Sequence, residues 1–387
     1  AVGYGAGQNV TSGVQNTLIG ALAGDAITAS SLNTAVGYQA LSTDVLGGKS
    51  VAVGYAALAL QNFTTATDTF NTGVGYQAGA SITTGVQNVL IGGLTGDAIT
   101  DADHNTAVGH GSLSQNVLGS KNTALGTFSL LNVNPATATD TFNVGVGYGA
   151  GQNVTTGVEN TLIGGLAGDA LTDADYNVAV GVSALGSDTK GSRNTAVGTF
   201  TLQTQNFTTA TNSYNTAFGY GAGSNVTTGL VNTLVGGLAG DAITTGNDNT
   251  AIGYNSLTAN TASNRNTAFG SLTLSTFNVT TDTHTYNTAV GWAAGNGITT
   301  GIQNTIIGGS AGDALTDADE NVAIGYQALG SDTLGSRSVA IGHTALFNQN
   351  FTTATNAHNT AIGYFAGAAV TTGTNNTFVG GLAGDGT

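Results

Sequence analysis

The sequence contains no cysteine, no methionine and a single proline among its 387 residues. Without cysteine the chain forms neither disulfides nor thiolate metal sites. The lack of methionine indicates a processed chain or a fragment. No run of 18 apolar residues and no signal peptide is visible, and we therefore expect no membrane insertion.

Basic residues are also scarce. Six lysines and arginines stand against 21 acidic residues, which gives a formal net charge of −15. So few cations cannot neutralise a nucleic-acid backbone, and anionic lipid would repel the chain. The composition argues against nucleic-acid and membrane partners. It is typical of an exposed, acidic fibre, and we expect an extracellular location, on a cell-surface appendage or a virion.

Glycine is abundant, with 61 residues, and part of it recurs at a fixed spacing. One key glycine returns after 17, 17, 17 and then 21 residues, at Gly3, Gly20, Gly37, Gly54 and Gly75. The resulting 72-residue super-repeat predicts an architecture in which each unit is stable only against its neighbours. We expect one continuous repeat domain over residues 1–387, with super-repeats at roughly 1–72, 73–144, 145–216, 217–288, 289–360 and a partial one at 361–387.

The residues around each key glycine alternate as in a β-strand. A large apolar residue precedes the glycine, as at Ile19 and Val36, and Thr or Val lies two positions further back. These two positions share one face of an extended strand, and the small or aliphatic residue between them points the other way. The pattern predicts an all-β fold, a parallel β-solenoid of about 22 rungs that forms an elongated rod.

An asparagine stands four positions before most key glycines. Asparagine tolerates left-handed turns, and stacked amides hydrogen-bond along a fibre axis. We interpret these residues as a structural ladder, which begins with Asn16, Asn33, Asn71, Asn88 and Asn105.

Three phrases resemble a known repeat. They are Lys49-Ser-Val-Ala-Val-Gly54, Arg337-Ser-Val-Ala-Ile-Gly342 and Asn321-Val-Ala-Ile-Gly325. They resemble the head repeats of YadA-like trimeric autotransporter adhesins, which form a left-handed parallel β-roll. The phrase from Asn33 to Ala40 is similar to repeats of phage tail fibres and related bacterial surface proteins. The resemblance implies a homotrimeric, receptor-binding fibre, although the family's repeat is shorter than the one found here.

Acidic clusters raise the question of a metal. Three super-repeats contain Asp-x-Asp-x-Asn, and clustered carboxylate and amide oxygens on a turn suit Ca²⁺. Two other super-repeats lack the cluster, which favours solvated turn carboxylates instead. The candidate calcium ligands are Asp101, Asp103, Asn105, Asp173, Asp175, Asn177, Asp317, Asp319 and Asn321. We expect no other cofactor.

Two further features recur once in each full super-repeat. One basic residue returns at Lys49, Lys121, Arg193, Arg265 and Arg337, which predicts a fixed carboxylate partner on an adjacent rung or chain. The insertion in the longer rung predicts a lateral loop that contacts glycans or a neighbouring filament, or whose phenylalanines cover the edge of the core. The loop residues in question are Asn62, Phe63, Asn206, Phe207, Asn350 and Phe351.

No catalytic constellation recurs, and the five histidines occupy no constant phase, so we expect no enzyme. Threonines on a flat face raise ice binding as a minor alternative, but Val51, Val89, Val144 and Val178 interrupt the row. The leading hypothesis is an extracellular structural fibre or filament shaft that spans and displays. The alternative is a trimeric adhesin or phage tail fibre that binds a cell-surface glycan or receptor. Both imply self-association, as a homotrimer or an end-to-end polymer.

Overall fold

The computed structural model describes residues 1–386, and the last residue of the predicted repeat domain, Thr387, lies outside the described residues. The chain forms two compact units. The first comprises Ala1–Arg193 and Thr208–Thr211, and the second comprises Asn194–Phe207 and residues 212–386. Each unit is a stack of rungs, and the single continuous domain stays a prediction.

The rungs of the first unit are built on three-residue strands that end just before a key glycine. Each strand consists of β-branched or aliphatic residues around a small or aliphatic one, a composition that favours extended backbone. These strands are Thr17–Ile19, Thr34–Val36, Val51–Val53, Thr72–Val74, Val89–Ile91, Thr106–Val108, Thr123–Leu125, Val144–Val146, Thr161–Ile163 and Val178–Val180.

The second unit repeats the pattern. Its three-residue strands are Thr195–Val197, Thr216–Phe218, Thr233–Val235, Thr250–Ile252, Thr267–Phe269, Thr288–Val290, Thr305–Ile307, Val322–Ile324, Val339–Ile341, Thr360–Ile362 and Thr377–Val379.

Two-residue strands occur beside the longer rungs. Gly47–Gly48 pairs with Thr67–Asp68, and the same parallel pairing recurs between Gly119–Ser120 and Thr139–Asp140. These short strands support the lateral loop where the chain is longer. The remaining ones are Gly191–Ser192, Thr211–Asn212, Gly335–Ser336 and Thr355–Asn356.

Neighbouring three-residue strands within each unit pair in parallel and in register. Thr17 lies opposite Thr34, Ala35 opposite Ala52, and Thr233 opposite Thr250. The predicted parallel β-solenoid is therefore confirmed, with one such strand in each rung. Within residues 1–386, no helix has the length and apolar character needed to cross a membrane.

The interior of a rung is filled by reciprocal large and small residues. The middle residue of each strand points inward, and Leu18 and Ala35 are at most 3% exposed. Opposite Leu18, a Cβ on Gly24 would lie only 2.7 Å from the leucine Cδ2. Where the strand has Ala35 instead, Leu41 occupies the equivalent turn position and is fully buried. The thin interior is thus close-packed, with one large side chain matched to one small partner.

The key glycines let successive rungs approach closely. Gly37 has a φ of 138°, a conformation that residues with a Cβ rarely adopt. A Cβ on Gly37 would lie 2.2 Å from the carbonyl oxygen of Gly54 on the next rung. Both the backbone conformation and the stacking distance therefore require glycine at this position.

Candidate functional site

The first and third residues of the three-residue strands point outward, and we call this surface the strand face. The first position is Thr or Val in every described strand of this length, and the third is Val, Ile, Leu or Phe. Leu125 and Phe269 on this face are 48% and 51% exposed. The large apolar residues that define the repeat therefore lie outside the core. Among the described three-residue strands, the face carries no ionisable side chain.

Exposed aromatic rings border the strand face on the side of the key glycine. We call them the aromatic row, and each follows a key glycine directly. The rings of Tyr38 and Tyr55 stack with centroids 5.4 Å apart, and those of Tyr55 and Tyr76 are 5.3 Å apart. The other members of the row are Tyr4, His110, Tyr148, Tyr220, Tyr254, Trp292, Tyr326, His343 and Tyr364.

The recurring basic residues border the opposite side of the strand face. Lys49 Nζ lies 2.6 Å from Asp68 Oδ2 and 5.0 Å from the centre of the Phe70 ring. Arg337 Nε lies 3.1 Å from Glu320 Oε2. These contacts agree with the expected carboxylate partner on an adjacent rung. Since the four charged side chains are all more than one-third exposed, each pair contributes about 0–1 kcal/mol.

The asparagine ladder joins the rungs from inside. The backbone N–H of Asn88 donates to Oδ1 of Asn71 at 2.9 Å, and that of Asn105 donates to Oδ1 of Asn88 at 3.0 Å. The Nδ2 group of Asn88 also donates to the carbonyl of Ala102 at 2.8 Å. The ladder amides are thereby used in bonds between rungs. Asn16 and Asn33 follow the same rule, because Asn33 N–H donates to Oδ1 of Asn16.

A buried carboxylate supports the lateral loop of the first super-repeat. Asp44 Oδ1 accepts from the backbone N–H groups of Gly47 at 2.9 Å and Phe63 at 3.2 Å, and Oδ2 accepts from Gln61 Nε2 at 2.6 Å. Burial raises the pKa of the Asp44 carboxyl above its ordinary value, and the hydrogen bonds from Gln61 and the backbone lower it in part. The arrangement fixes the base of the loop rather than a ligand.

The residue equivalent to Asp44 and the loop residue equivalent to Gln61 vary together from one super-repeat to the next. Aspartate occurs where the loop supplies glutamine, and asparagine occurs where the loop supplies an apolar residue. The side chain of Asn116 bonds to the backbone of Gly119: Oδ1 accepts from its N–H at 2.8 Å, and Nδ2 donates to its carbonyl at 2.7 Å. The pairs, one in each full super-repeat, are Asp44 with Gln61, Asn116 with Val133, Asp188 with Gln205, Asn260 with Phe277 and Asp332 with Gln349. The sequence prediction missed this interior cluster, although the paired alternation is visible in the repeats.

The candidate calcium ligands are engaged in bonds between rungs. Asp101 Oδ1 accepts from Thr84 Oγ1 at 2.6 Å, and Asp103 Oδ1 accepts from the backbone N–H of Val86 at 2.7 Å. Asp173 Oδ2 lies 3.7 Å from Lys190 Nζ. Over residues 1–386, no three acidic or histidine side chains gather closely enough to hold a metal ion. The calcium site stays a prediction.

The remaining candidates of the three clusters follow the same arrangement. Asp317 accepts from the hydroxyl of Thr300. Asp175 and Asp319 each accept a backbone N–H from the preceding rung at 2.8 Å. Asn177 and Asn321 belong to the asparagine ladder, like Asn105.

The lateral loops divide into buried and exposed residues. The rings of Phe63, Phe207 and Phe351 are 6–7% exposed and close the edge of the core. The neighbouring Asn62, Asn206 and Asn350 are exposed. Of these six loop residues, the asparagines and not the phenylalanine rings are therefore exposed to a glycan.

Comparison with family models, with curated proteins and with solved structures finds no match to this chain. The functional argument therefore depends on the strand face, the aromatic row and the charges themselves. The YadA-like resemblance stays a hypothesis.

Proposed function

We propose that this chain is a shaft segment of an extracellular structural fibre whose copies associate side by side through the strand face. The observation that carries the proposal is an exposed, uncharged face, with a row of Thr or Val beside a row of large apolar residues, on a chain whose net charge is −15. Contiguous exposed apolar surface of this kind is typical of a protein–protein interface.

The size of the strand face supports association. Ten strands at about 4.8 Å spacing make the face of the first unit about 48 Å long, and with the aromatic row it is about 16 Å wide. Each copy would bury roughly 750 Å² over this unit, close to the ~800 Å² per partner of a stable interface.

The charge distribution favours a second copy as the partner. Two chains of net charge −15 repel each other wherever their acidic turns meet. The strand face is a surface where copies can meet without opposing carboxylates. The YadA-like resemblance favours three copies, whereas the charge distribution requires only that the contact be lateral.

Sedimentation equilibrium of the purified chain tests the proposal. We expect an oligomer that dissociates when lysine is placed on the strand face, as in Ile91→Lys with Phe269→Lys. The matched control is Leu60→Lys, because Leu60 is exposed to the same extent as Phe269, at 52%, but lies in a turn and not on a three-residue strand. A wild-type chain that sediments as a monodisperse monomer at high concentration would contradict the proposal.

A receptor-binding adhesin is the second candidate, favoured by the exposed Asn62, Asn206 and Asn350 on loops spaced along the chain. Binding to a glycan array that is lost when these asparagines become alanine would support it. Ice binding is less well supported, because Phe218 and Phe269 project from the strand face between the threonines. Display of a receptor site is compatible with a shaft, whereas ice binding requires the strand face to stay uncovered.

A further inference from the structure

Five rungs have glycine at the position where other rungs carry a ring of the aromatic row, and the fold of the single chain does not require glycine there. In every super-repeat but the first, the rung after the first aromatic ring has glycine in place of a ring, at Gly93, Gly165, Gly237, Gly309 and Gly381. None of these glycines has a left-handed φ. A Cβ would meet nothing closer than 3.5 Å at any of them, and nothing within 4 Å at Gly165.

These glycines differ from the key glycines, which the stacking of rungs demands. A glycine in an ordinary conformation loses more chain entropy on folding than alanine does, so it is the less stable choice. Ala21 occupies the equivalent position in the first super-repeat, which shows that a Cβ is accepted there. Other positions of the row vary between super-repeats, as Thr127, Ser271 and His343 do, while the glycine returns. The single chain therefore supplies no steric or conformational reason for glycine at these positions.

Each gap inside a unit lies between a ring on the preceding rung and a side chain on the following rung. The gap at Gly237 is bounded by Tyr220 and Tyr254, and that at Gly309 by Trp292 and Tyr326. The bounding residues are two rungs apart, about 9.6 Å. The following ring leans toward the glycine, since a Cβ on Gly237 would lie 3.6 Å from Tyr254 Cδ2. A third ring at the level of the glycine would be about 4.8 Å along the stack from each bounding rung, within the 4.5–7 Å range of favourable aromatic pairs.

We infer that these gaps are slots for an exposed aromatic ring of a second copy of this chain. The rings in question stand one rung before the slots and are 54–61% exposed: Tyr76, Tyr148, Tyr220, Trp292 and Tyr364. Ring and slot alternate with the period of the super-repeat, which is four rungs or about 19 Å. Within a unit, a facing copy that is shifted by one rung presents a ring to every slot.

The inference rests on the proposed lateral association and specifies its register. The strand face alone would allow copies to slide along one another, because its Thr and Val rows repeat at every rung. A shift of one rung in the opposite direction would bring His110, Val182, Tyr254 and Tyr326 to the slots, so only the first shift presents a tyrosine or tryptophan ring to every slot within a unit. The slots thus give a uniform, uncharged face a defined register.

Filling the slots tests the inference. In the full chain, Gly93→Tyr with Gly237→Tyr should weaken self-association at least tenfold by sedimentation equilibrium. The control is Leu60→Tyr, which adds the same ring at an exposed turn position outside the row and should change association less than twofold. Truncation of the rings, Tyr76→Ala with Tyr220→Ala, leaves the rungs intact and should weaken association comparably.

The outcomes separate this inference from the proposed function. A wild-type chain that stays monomeric overturns both. A wild-type oligomer whose association is unchanged by filled slots and truncated rings overturns the slots alone. Weakening by the slot variants and the ring truncations, with the control unaffected, supports the inference.

Discussion

At the scale of single residues, the chain carries two alternative solutions to one buried position. Asp44 with Gln61 and Asn116 with Val133 occupy equivalent places in successive super-repeats, and Asp44 and Asn116 are both fully buried. A buried polar group is costly when its partner is removed and nearly neutral when both partners change together. The repeats therefore provide a matched pair for measuring this coupling within one protein.

Replacing the Asp44–Gln61 pair by the Asn–Val pair of the next super-repeat should show strong energetic coupling between the two positions. We predict that Asp44→Asn and Gln61→Val each lower the free energy of unfolding by about 1–3 kcal/mol, because each leaves a buried group without its partner. The double variant reproduces the pair at Asn116 and Val133, and it should lose less than the sum of the two. Equilibrium urea unfolding of the four proteins completes the cycle. Strictly additive losses would contradict the coupling.

Residue roles could be predicted from the sequence only where they recur without variation. The asparagine ladder is visible because Asn71, Asn88 and Asn105 keep one phase. The Asp44 cluster escapes such a search, because its members lie on successive rungs and change identity between super-repeats. The cluster could be found only by noticing that Asp occurs with Gln, and Asn with an apolar residue, at these two positions of the repeat.

At the scale of one rung, left-handed residues other than glycine are a regular requirement. The residue just before each ladder position has a positive φ, as at Gln87 with 58° and Val231 with 57°. The backbone N–H of Val231 donates to Ser213 O at 2.9 Å, which holds this conformation. A β-branched side chain is poorly suited to it.

Relieving this strain should stabilise the rung. We predict that Val231→Asn raises the free energy of unfolding by about 1 kcal/mol, because asparagine tolerates the left-handed region. Val231 is 49% exposed, so little packing is lost. Urea unfolding measures the gain, and Gln87→Asn is the control, with a smaller gain because glutamine is unbranched. A destabilised Val231→Asn would show that the valine makes a contact which outweighs the strain.

The sequence predicts the rung, but it does not predict which face of its strand is buried in the core and which is exposed. Strict spacing and β-branched residues indicate strands, and alternation divides their residues between two faces. Hydrophobicity alone would place Ile19 inside and Ala35 at the surface, the reverse of the arrangement found. The interior is too thin for large residues on both sides, and the pairing of Leu18 with Gly24 and of Ala35 with Leu41 is the signal that identifies it.

At the scale of the whole molecule, charge opposes association and the strand face favours it. The acidic residues behind the net charge of −15 all lie outside the three-residue strands, and the strand face has none. Raising the salt concentration shortens the range of the repulsion and leaves the apolar contact intact.

Salt should therefore strengthen the lateral contact. Between about 20 mM and about 200 mM NaCl, we predict that the association constant rises several-fold, measured by sedimentation equilibrium at constant pH. An association constant that falls over this range would indicate that ion pairs between copies, and not the uncharged face, hold the oligomer together.

At the same scale, composition and periodicity were sufficient to predict the solenoid, and they were insufficient for the interface. The slots at Gly165 and Gly237 are ordinary glycines in a sequence rich in glycine. Only the absence of any steric or conformational need within the chain distinguishes them.

The equivalence of successive super-repeats also bears on how such a chain changes length. Tyr76, Tyr148 and Tyr220 lie one super-repeat apart, and the slots that follow them keep the same spacing. An in-frame duplication or deletion of one super-repeat in the coding sequence would add or remove four complete rungs and keep every ring and slot in phase. Recombination between such copies would yield proteins whose lengths differ in steps of about 19 Å and whose lateral contacts remain compatible.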